Sequence, residues 1–219
     1  MDILVVDVGG TNIKLKRSGQ PEVRKVASGP LLSAQLMCDA VKQATAGWDY
    51  DAVSVGYPGP VVAGKIAKEP VNLAPGWFGF DFDAAFGKPT RVINDAAMQA
   101  LGSYQGGRML FLGLGTGLGS ALVFDGVVAP MELGHLPYKK GRSFEDFVGA
   151  MGMKRAGRRK WQMAVFDVVA RLRAALLPEY VVLGGGNVKK LDELPPGCRA
   201  GDNDNAFIGG ERLWQDKHG

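Results

Sequence analysis

Two stretches of this chain combine glycine, threonine and flanking apolar runs as a phosphate-binding turn requires. In the first, Ile3-Leu4-Val5-Val6-Asp7-Val8 runs into Gly9-Gly10-Thr11 and leaves through Asn12-Ile13-Lys14-Leu15. In the second, Met109–Leu112 enters Gly113-Leu114-Gly115-Thr116-Gly117-Leu118-Gly119, Ala121–Phe124 leaves it, and Asp125-Gly126 closes it. Each reads as strand, turn, antiparallel strand. The second turn is longer and richer in glycine than a hairpin needs, since Asp-Gly alone would close one. Glycine costs backbone entropy, so this density suggests a close backbone approach to a ligand. Bare N–H groups around such a turn cradle an anion, usually phosphate. The recurrence about 105 residues apart suggests two related lobes facing each other across a cleft. Read for geometry alone, both are ordinary hairpins.

Two better-known phosphate loops are excluded. Gly59-Pro60-Val61-Val62-Ala63-Gly64-Lys65-Ile66 has the spacing of a P-loop, but Ile66 stands where the magnesium-binding Ser or Thr belongs. No G-x-G-x-x-G lies in frame at 113–119 or 184–189. The bulk properties agree with a globular, ligand-binding chain. Of its 219 residues 46% are hydrophobic and 22% charged, and 32 are glycine, about twice the usual share of roughly 7%. A net charge of +4 favours anionic ligands without implying nucleic acid. Cys38 and Cys198 have no metal-type spacing, which fits a reduced, cytoplasmic setting. No apolar run reaches membrane-span length, and Asp2 stands where a signal peptide would carry a base.

The elements that must position these turns follow in order. Strands are expected over 3–8, 12–17 and 22–27. Leu32, Leu36, Ala40, Val41 and Ala44 recur at helical spacing up to Gly47, and 51–57 is a further strand. The order β-β-β-α-β is not a Rossmann unit, which needs a helix straight after its first strand. Residues 58–89 hold five prolines together with Trp77, Phe78, Phe80 and Phe82. They read as an insertion lining a pocket, or as a hydrophobic loop covering the core. A short strand over 90–93 precedes Asn94-Asp95 and a helix over 96–104, and Gly106-Gly107 reads as the hinge between lobes. After the second hairpin a helix begins at Ser143. Trp161, Val165, Val168, Leu172 and Leu176 mark a long amphipathic helix stopped by Pro178. A strand over 180–183 leads into Gly184-Gly185-Gly186-Asn187, a loop covers 194–205, and a terminal helix covers 207–214. The lobes are therefore 1–106 and 107–219, with the terminal helix free to pack back on the first.

Asp7-Val8-Gly9-Gly10-Thr11-Asn12-Ile13-Lys14 resembles the first phosphate motif of the actin/hexokinase/Hsp70 superfamily. Leu112–Gly119 resembles its second phosphate motif, and Leu183-Gly184-Gly185-Gly186-Asn187 its nucleotide motif. Asn94-Asp95-Ala96 and Glu132-Leu133-Gly134-His135 resemble the ROK sugar kinases within it. Val71-Asn72-Leu73, Gly76-Trp77, Glu132–Tyr138, Ser143–Gly149, Gly201-Asp202-Asn203 and Gly209-Gly210 resemble its polyphosphate glucokinase branch. The resemblance implies an α/β, two-lobed, ribonuclease-H-like fold with a cleft between lobes.

Asp7, ending a buried strand, would face the phosphates and hold Mg²⁺ through water. Gly9, Gly10 and Thr11 offer amides, and Lys14 adds a point charge. Gly115, Thr116 and Gly117 would close on the phosphates from the other lobe, and Gly184, Gly185, Gly186 and Asn187 belong to the nucleotide motif. The resemblance makes Asp95 the general base that takes the sugar hydroxyl proton; the plain reading is a helix N-cap. It makes Asn72, Asn94, Glu132, His135 and Glu145 sugar-hydroxyl ligands, with an aromatic wall such as Trp77. Asn94 serves equally as a cap, Glu132 as a surface acid, His135 as a core histidine and Glu145 as a helix-dipole acid. Many ROK proteins carry a Cys-rich zinc site after the His; here Leu136–Arg142 has no Cys, so no structural zinc is expected and His135 is left to the sugar. Lys154-Arg155-Ala156-Gly157-Arg158-Arg159-Lys160, with Lys139, Lys140 and Arg142, reads as a guide for a polyanionic donor or as a solvated connector.

The expected activity is phosphoryl transfer from ATP, polyphosphate or both to the 6-hydroxyl of glucose or a related hexose, with Mg²⁺. Lobe closure would exclude water. The short chain implies a trimmed nucleotide lobe. A cytoplasmic homodimer is expected, with no nucleic-acid or membrane partner. The alternatives are a non-catalytic ROK-like sugar sensor, which lacks room for a helix-turn-helix ahead of Asp7, and a kinase of the same superfamily for another small molecule.

Overall fold

The computed structural model describes residues 1–215. Two compact units divide the chain: Met1–Met98 with the segment from Ala206, and Gln99–Asn205.

The first unit is built on β1 (Ile3–Val8), β2 (Asn12–Arg17), β3 (Val23–Ala27), α1 (Ala34–Ala44) and β4 (Ala52–Tyr57). A small hairpin, β5 (Val61–Val62) and β6 (Lys65–Ile66), precedes α2 (Phe82–Phe86), β7 (Thr90–Asn94) and α3 (Asp95–Ser103). Its main sheet has the order β3-β2-β1-β4-β7, with β1 antiparallel to β2 and parallel to β4. β1 is buried on both faces, which is why Ile3–Val8 is continuously apolar except for Asp7. Leu4, Val6 and Val8 point one way and pack with Met37, Cys38 and Val41 of α1. Val5 points the other way, against the terminal helix, where Gly210 has no room for a side chain.

α1 starts later than the spacing of Leu32 and Leu36 predicts. Ser33 accepts from the Leu36 N–H and caps it, so Leu32 lies outside, and Leu36 faces solvent while Met37, Cys38 and Val41 are buried. The proline-rich stretch covers the core. Trp77 is fully buried against Tyr57 and Phe82, and its indole N–H donates to the Leu32 carbonyl at 3.3 Å. The aromatic wall expected of Trp77 is therefore not available to a sugar: the ring's large apolar area is spent on the core.

The second unit repeats the plan. β8 (Arg108–Leu114), β9 (Leu118–Phe124), β10 (Val127–Met131), β11 (Tyr180–Gly184) and β12 (Cys198–Ala200) form a sheet of order β10-β9-β8-β11-β12. Three antiparallel strands followed by two parallel ones is also the arrangement of the first sheet. α4 (Glu145–Val148), α5 (Ala150–Ala156) and α6 (Arg158–Leu176) lie between β10 and β11, and α7 (Asn205–Arg212) ends the described chain. Trp161, Val165, Val168, Val169 and Leu172 of α6 join Leu110, Leu112, Leu114, Val181 and Leu183 in one core. β10 was not expected, because its Pro130 argues against a strand; it lies at the sheet edge, where a missing N–H costs no ladder bond. β12 lies inside the stretch expected to be loop. Gly106-Gly107, expected as the hinge, falls within the second unit, and the boundary runs through α3 at Met98 and Gln99. No helix among the described residues is long and apolar enough to cross a membrane.

Candidate functional site

In the first unit the candidate residues gather where β1 ends. Asp7 is 8% exposed. It pairs directly with Lys14 across the antiparallel ladder, Nζ to Oδ2 at 3.7 Å. Burial pushes the Asp7 carboxyl above its ordinary value, and the Lys14 ammonium works against that. The turn after it is short. The Gly9 N–H donates to the Asn12 carbonyl at 3.1 Å, so this amide closes the turn and is not offered to a ligand. Gly10 and Thr11 are exposed at the tip.

Gly56 brings a second carboxylate to the same place. It is the parallel partner of Asp7 on β4, so both residues present the same sheet face. A Cβ on Gly56 would strike the buried Met98 side chain and lie 3.7 Å from the Asp95 Cα. The absence of a side chain lets the start of α3 settle on the sheet beside Asp7. Asn94 takes the capping role that had been open for both residues: its Oδ1 accepts from the Ala97 N–H at 3.0 Å. Its Nδ2 donates to the Gly59 carbonyl at 3.1 Å. Asp95 Oδ1 accepts the Ala96 N–H at 2.7 Å. Asn72 is exposed on a loop. That loop is held by Glu69, unforeseen in the sequence, whose carboxylate accepts from the N–H groups of Gly76, Trp77 and Phe78 at 3.1–3.2 Å. Those bonds, the Trp77 amide first, hold the Glu69 carboxyl below its ordinary value.

In the second unit the sugar and phosphate candidates converge. The β8–β9 ladder runs through Gly113–Gly119 and Leu114–Leu118, so the turn is only Gly115-Thr116-Gly117, shorter than the glycine pattern suggested. Three segments brace it. Asn187 Nδ2 donates to the Gly115 carbonyl at 2.9 Å, and the Asn187 N–H to the Leu114 carbonyl at 3.0 Å. The Ala150 N–H reaches the carbonyls of Gly115 and Thr116. Glu145 Oε2 lies 2.5 Å from where a Cβ on Gly117 would sit. Glu145 Oε1 is 3.5 Å from His135 Nε2, and Glu132 Oε2 is 3.8 Å from His135 Nδ1. The imidazole therefore stands between two carboxylates at the edge of the glycine turn, and it is exposed rather than a core histidine. Such a row of acceptors and a donor suits sugar hydroxyls.

Gly185-Gly186-Asn187 sit against this same turn: a Cβ on Gly185, whose φ is 84°, would lie 2.5 Å from the Leu114 carbonyl oxygen. Beside them opens a cavity of about 560 Å³ lined by Gly185, Gly186, Lys189, Gly201, Asp202 and Asn203 among others. That volume suits a small organic ligand. Gly184 is set apart, in β11 against Phe111. Of the basic run, Arg158 donates to the Lys190 carbonyl and pairs with Asp192, and Arg155 donates to the Asp146 carbonyl; Lys154, Arg159 and Lys160 are exposed. Among the described residues no group of three or more His, Cys, Asp or Glu is placed to hold a metal ion.

No family model matches the chain. A polyphosphate glucokinase of Mycobacterium tuberculosis is 27% identical over 181 residues, which cover 76% of this chain and 67% of the relative. The chain thus spans about two thirds of that relative's length. Among solved structures, an inorganic polyphosphate/ATP-glucomannokinase from Arthrobacter sp. strain KM is 25% identical, with a TM-score of 0.81 over 98% of this chain and 99% of that one. A ROK family glucokinase from Streptomyces griseus, in complex with glucose and AMPPNP, superposes at a TM-score of 0.78 over 97% and 99%. At 18% identity that second likeness speaks for the fold.

Proposed function

From its kinship with the ROK sugar kinases, whose hexokinase-type α/β fold it shares, we propose that this chain is a glucokinase-like phosphotransferase. It would transfer a phosphoryl group from polyphosphate, ATP or both to the 6-hydroxyl of glucose or a related hexose. The observation that carries this reading lies in the second unit: Glu132, His135 and Glu145 form one row, and Glu145 abuts Gly117 of the glycine turn. Hydroxyl-binding groups thus adjoin a phosphate-binding turn, as transfer to a sugar requires.

Each residue then has a task. Glu132, His135 and Glu145 bind and orient the hexose hydroxyls. Asp95 accepts the proton of the attacking hydroxyl as its oxygen bonds to phosphorus and the bond from that phosphorus to the donor's bridging oxygen breaks, the shortened donor leaving with that oxygen and its negative charge. Gly10, Thr11 and Lys14 on one turn, and Gly115, Thr116 and Gly117 on the other, offer amides and charge to phosphate oxygens. Gly185 and Gly186 line the cavity that would take an adenosine, and Asn187 holds the Gly115 carbonyl. Asp7, a hard carboxylate near the end of β1, would hold Mg²⁺ through water. Bound there, the ion would neutralise phosphate charge. Most of the rate gain would come from positioning and electrostatics.

The test is phosphoryl transfer to glucose with ATP and polyphosphate in parallel, beside Asp95→Asn. Activity in the wild type and its loss in the variant are expected. Inactivity of the wild type with both donors would overturn the reading.

A further inference from the structure

His135 and Glu145 stand at the two ends of one small hairpin, and the way it is fastened points to residues beyond the sugar-binding row. The Phe144 N–H donates to the Leu136 carbonyl at 3.0 Å and the Tyr138 N–H to the Arg142 carbonyl at 2.8 Å. Pro137 and Ser143 form a bridge, and Lys140 and Gly141 turn the chain with positive φ. His135 directly precedes this hairpin and Glu145 directly follows it, so its closure sets the 3.5 Å approach of their side chains.

Such a hairpin is marginal unless something packs on it. Tyr138 supplies that packing. Its ring lies 5.3 Å from Phe144 and meets Phe147 edge-on at 5.0 Å. Its hydroxyl donates to Asp167 Oδ2, on α6, at 2.5 Å. The same oxygen accepts Lys139 Nζ and Arg171 Nε, both at 3.1 Å. The Tyr138 hydroxyl and these cations hold the Asp167 carboxyl down at about 2, so the acceptor is charged throughout the physiological range. One carboxylate on the longest helix of the unit thus receives two consecutive residues of the hairpin.

We propose that Tyr138 and Asp167 are positioning residues: by fastening the hairpin to α6 they fix His135 against Glu145 and so set the affinity for the hexose. The inference rests on the kinase reading for its hexose consequence, while the fastening itself stands on geometry alone.

Two conservative variants test it. Tyr138→Phe removes one hydroxyl, and Asp167→Asn removes one charge with the shape kept. Each should raise the KM for glucose about three- to tenfold with kcat and the KM for the phosphoryl donor held, as the loss of one hydrogen bond predicts. The double variant should be no worse than the more affected single one, because both act through one contact. Amide exchange at Tyr138 and Phe144 should quicken in both variants, with β8 unchanged. An unchanged glucose KM in active variants, or unchanged exchange, would overturn the proposal. A wild type inactive on hexoses whose exchange still responds to the variants would overturn the kinase reading and leave the fastening in place.

Discussion

At the scale of single residues, the chemistry divides between two neighbours on one turn of chain. Asn94 spends both ends of its amide on structure, Oδ1 on the Ala97 N–H and Nδ2 on the Gly59 carbonyl. Asp95 begins α3 beside Gly56 and thereby beside Asp7. Asp95→Asn keeps the shape and removes the proposed base, so kcat should fall about 10²–10⁴-fold with either donor. Glucose binding, read by calorimetry, should persist. The sequence made Asp95 a candidate by its place between a strand and a helix. It left the cap to either residue, because both types cap helices equally well. Only the resolved bonds assign it.

At the scale of elements, short loops hold the candidate residues and distant groups hold the loops. Glu69 is the clearest case. Its carboxyl is held below its ordinary value by the amides of Trp77, Phe78 and Gly76. A lowered value in the fold means that the charged form stabilises the loop. That contribution is present above the unfolded value of about 4.3 and is lost as pH falls through the folded one. Glu69→Gln should therefore melt below the wild type at pH 7, and the gap should close as thermal melts are taken toward pH 3. A gap that is constant with pH would show that the clamp is not electrostatic. Nothing local marked Glu69, since its partners lie seven to nine residues ahead in a stretch of irregular backbone.

The glycine turn of the second unit makes a sharper test. Gly185 combines positive φ with a backbone neighbour that cannot yield. Gly185→Ala should cost about 1–3 kcal/mol, and each kcal/mol lowers Tm by about 2–4 °C in a chain of this size. Donor KM should rise more than glucose KM, because the displaced backbone is that of Leu114, which leads into the proposed phosphate turn.

At the scale of the whole molecule, the proposed activity separates two phosphoryl donors by the room each needs. The cavity beside Gly185 and Gly186 is roomy enough for a nucleoside, whereas polyphosphate needs no such room. A Cβ on Gly186 meets nothing within 4 Å, so a side chain there enters the cavity without disturbing the backbone. Gly186→Leu should raise the KM for ATP about tenfold or more and leave that for polyphosphate unchanged. Equal effects on both would place the donor elsewhere.

The sequence by itself determined the two strand–turn–strand units, the further strands over 51–57, 90–93 and 180–183 and the residue types at their ends. All of these are local: a period of two, an apolar run, or glycine where the chain must turn. The tertiary structure alone decided that Trp77 belongs to the core, that Pro130 lies in an edge strand, and that Gly115-Thr116-Gly117 is a tight three-residue turn. It also decided that Glu132, His135 and Glu145 form one row, and that Asp167 receives Tyr138 from 29 residues away. An apolar pattern says that a side chain is buried, not against what. A polar side chain's partner is fixed by packing between segments that the sequence keeps apart.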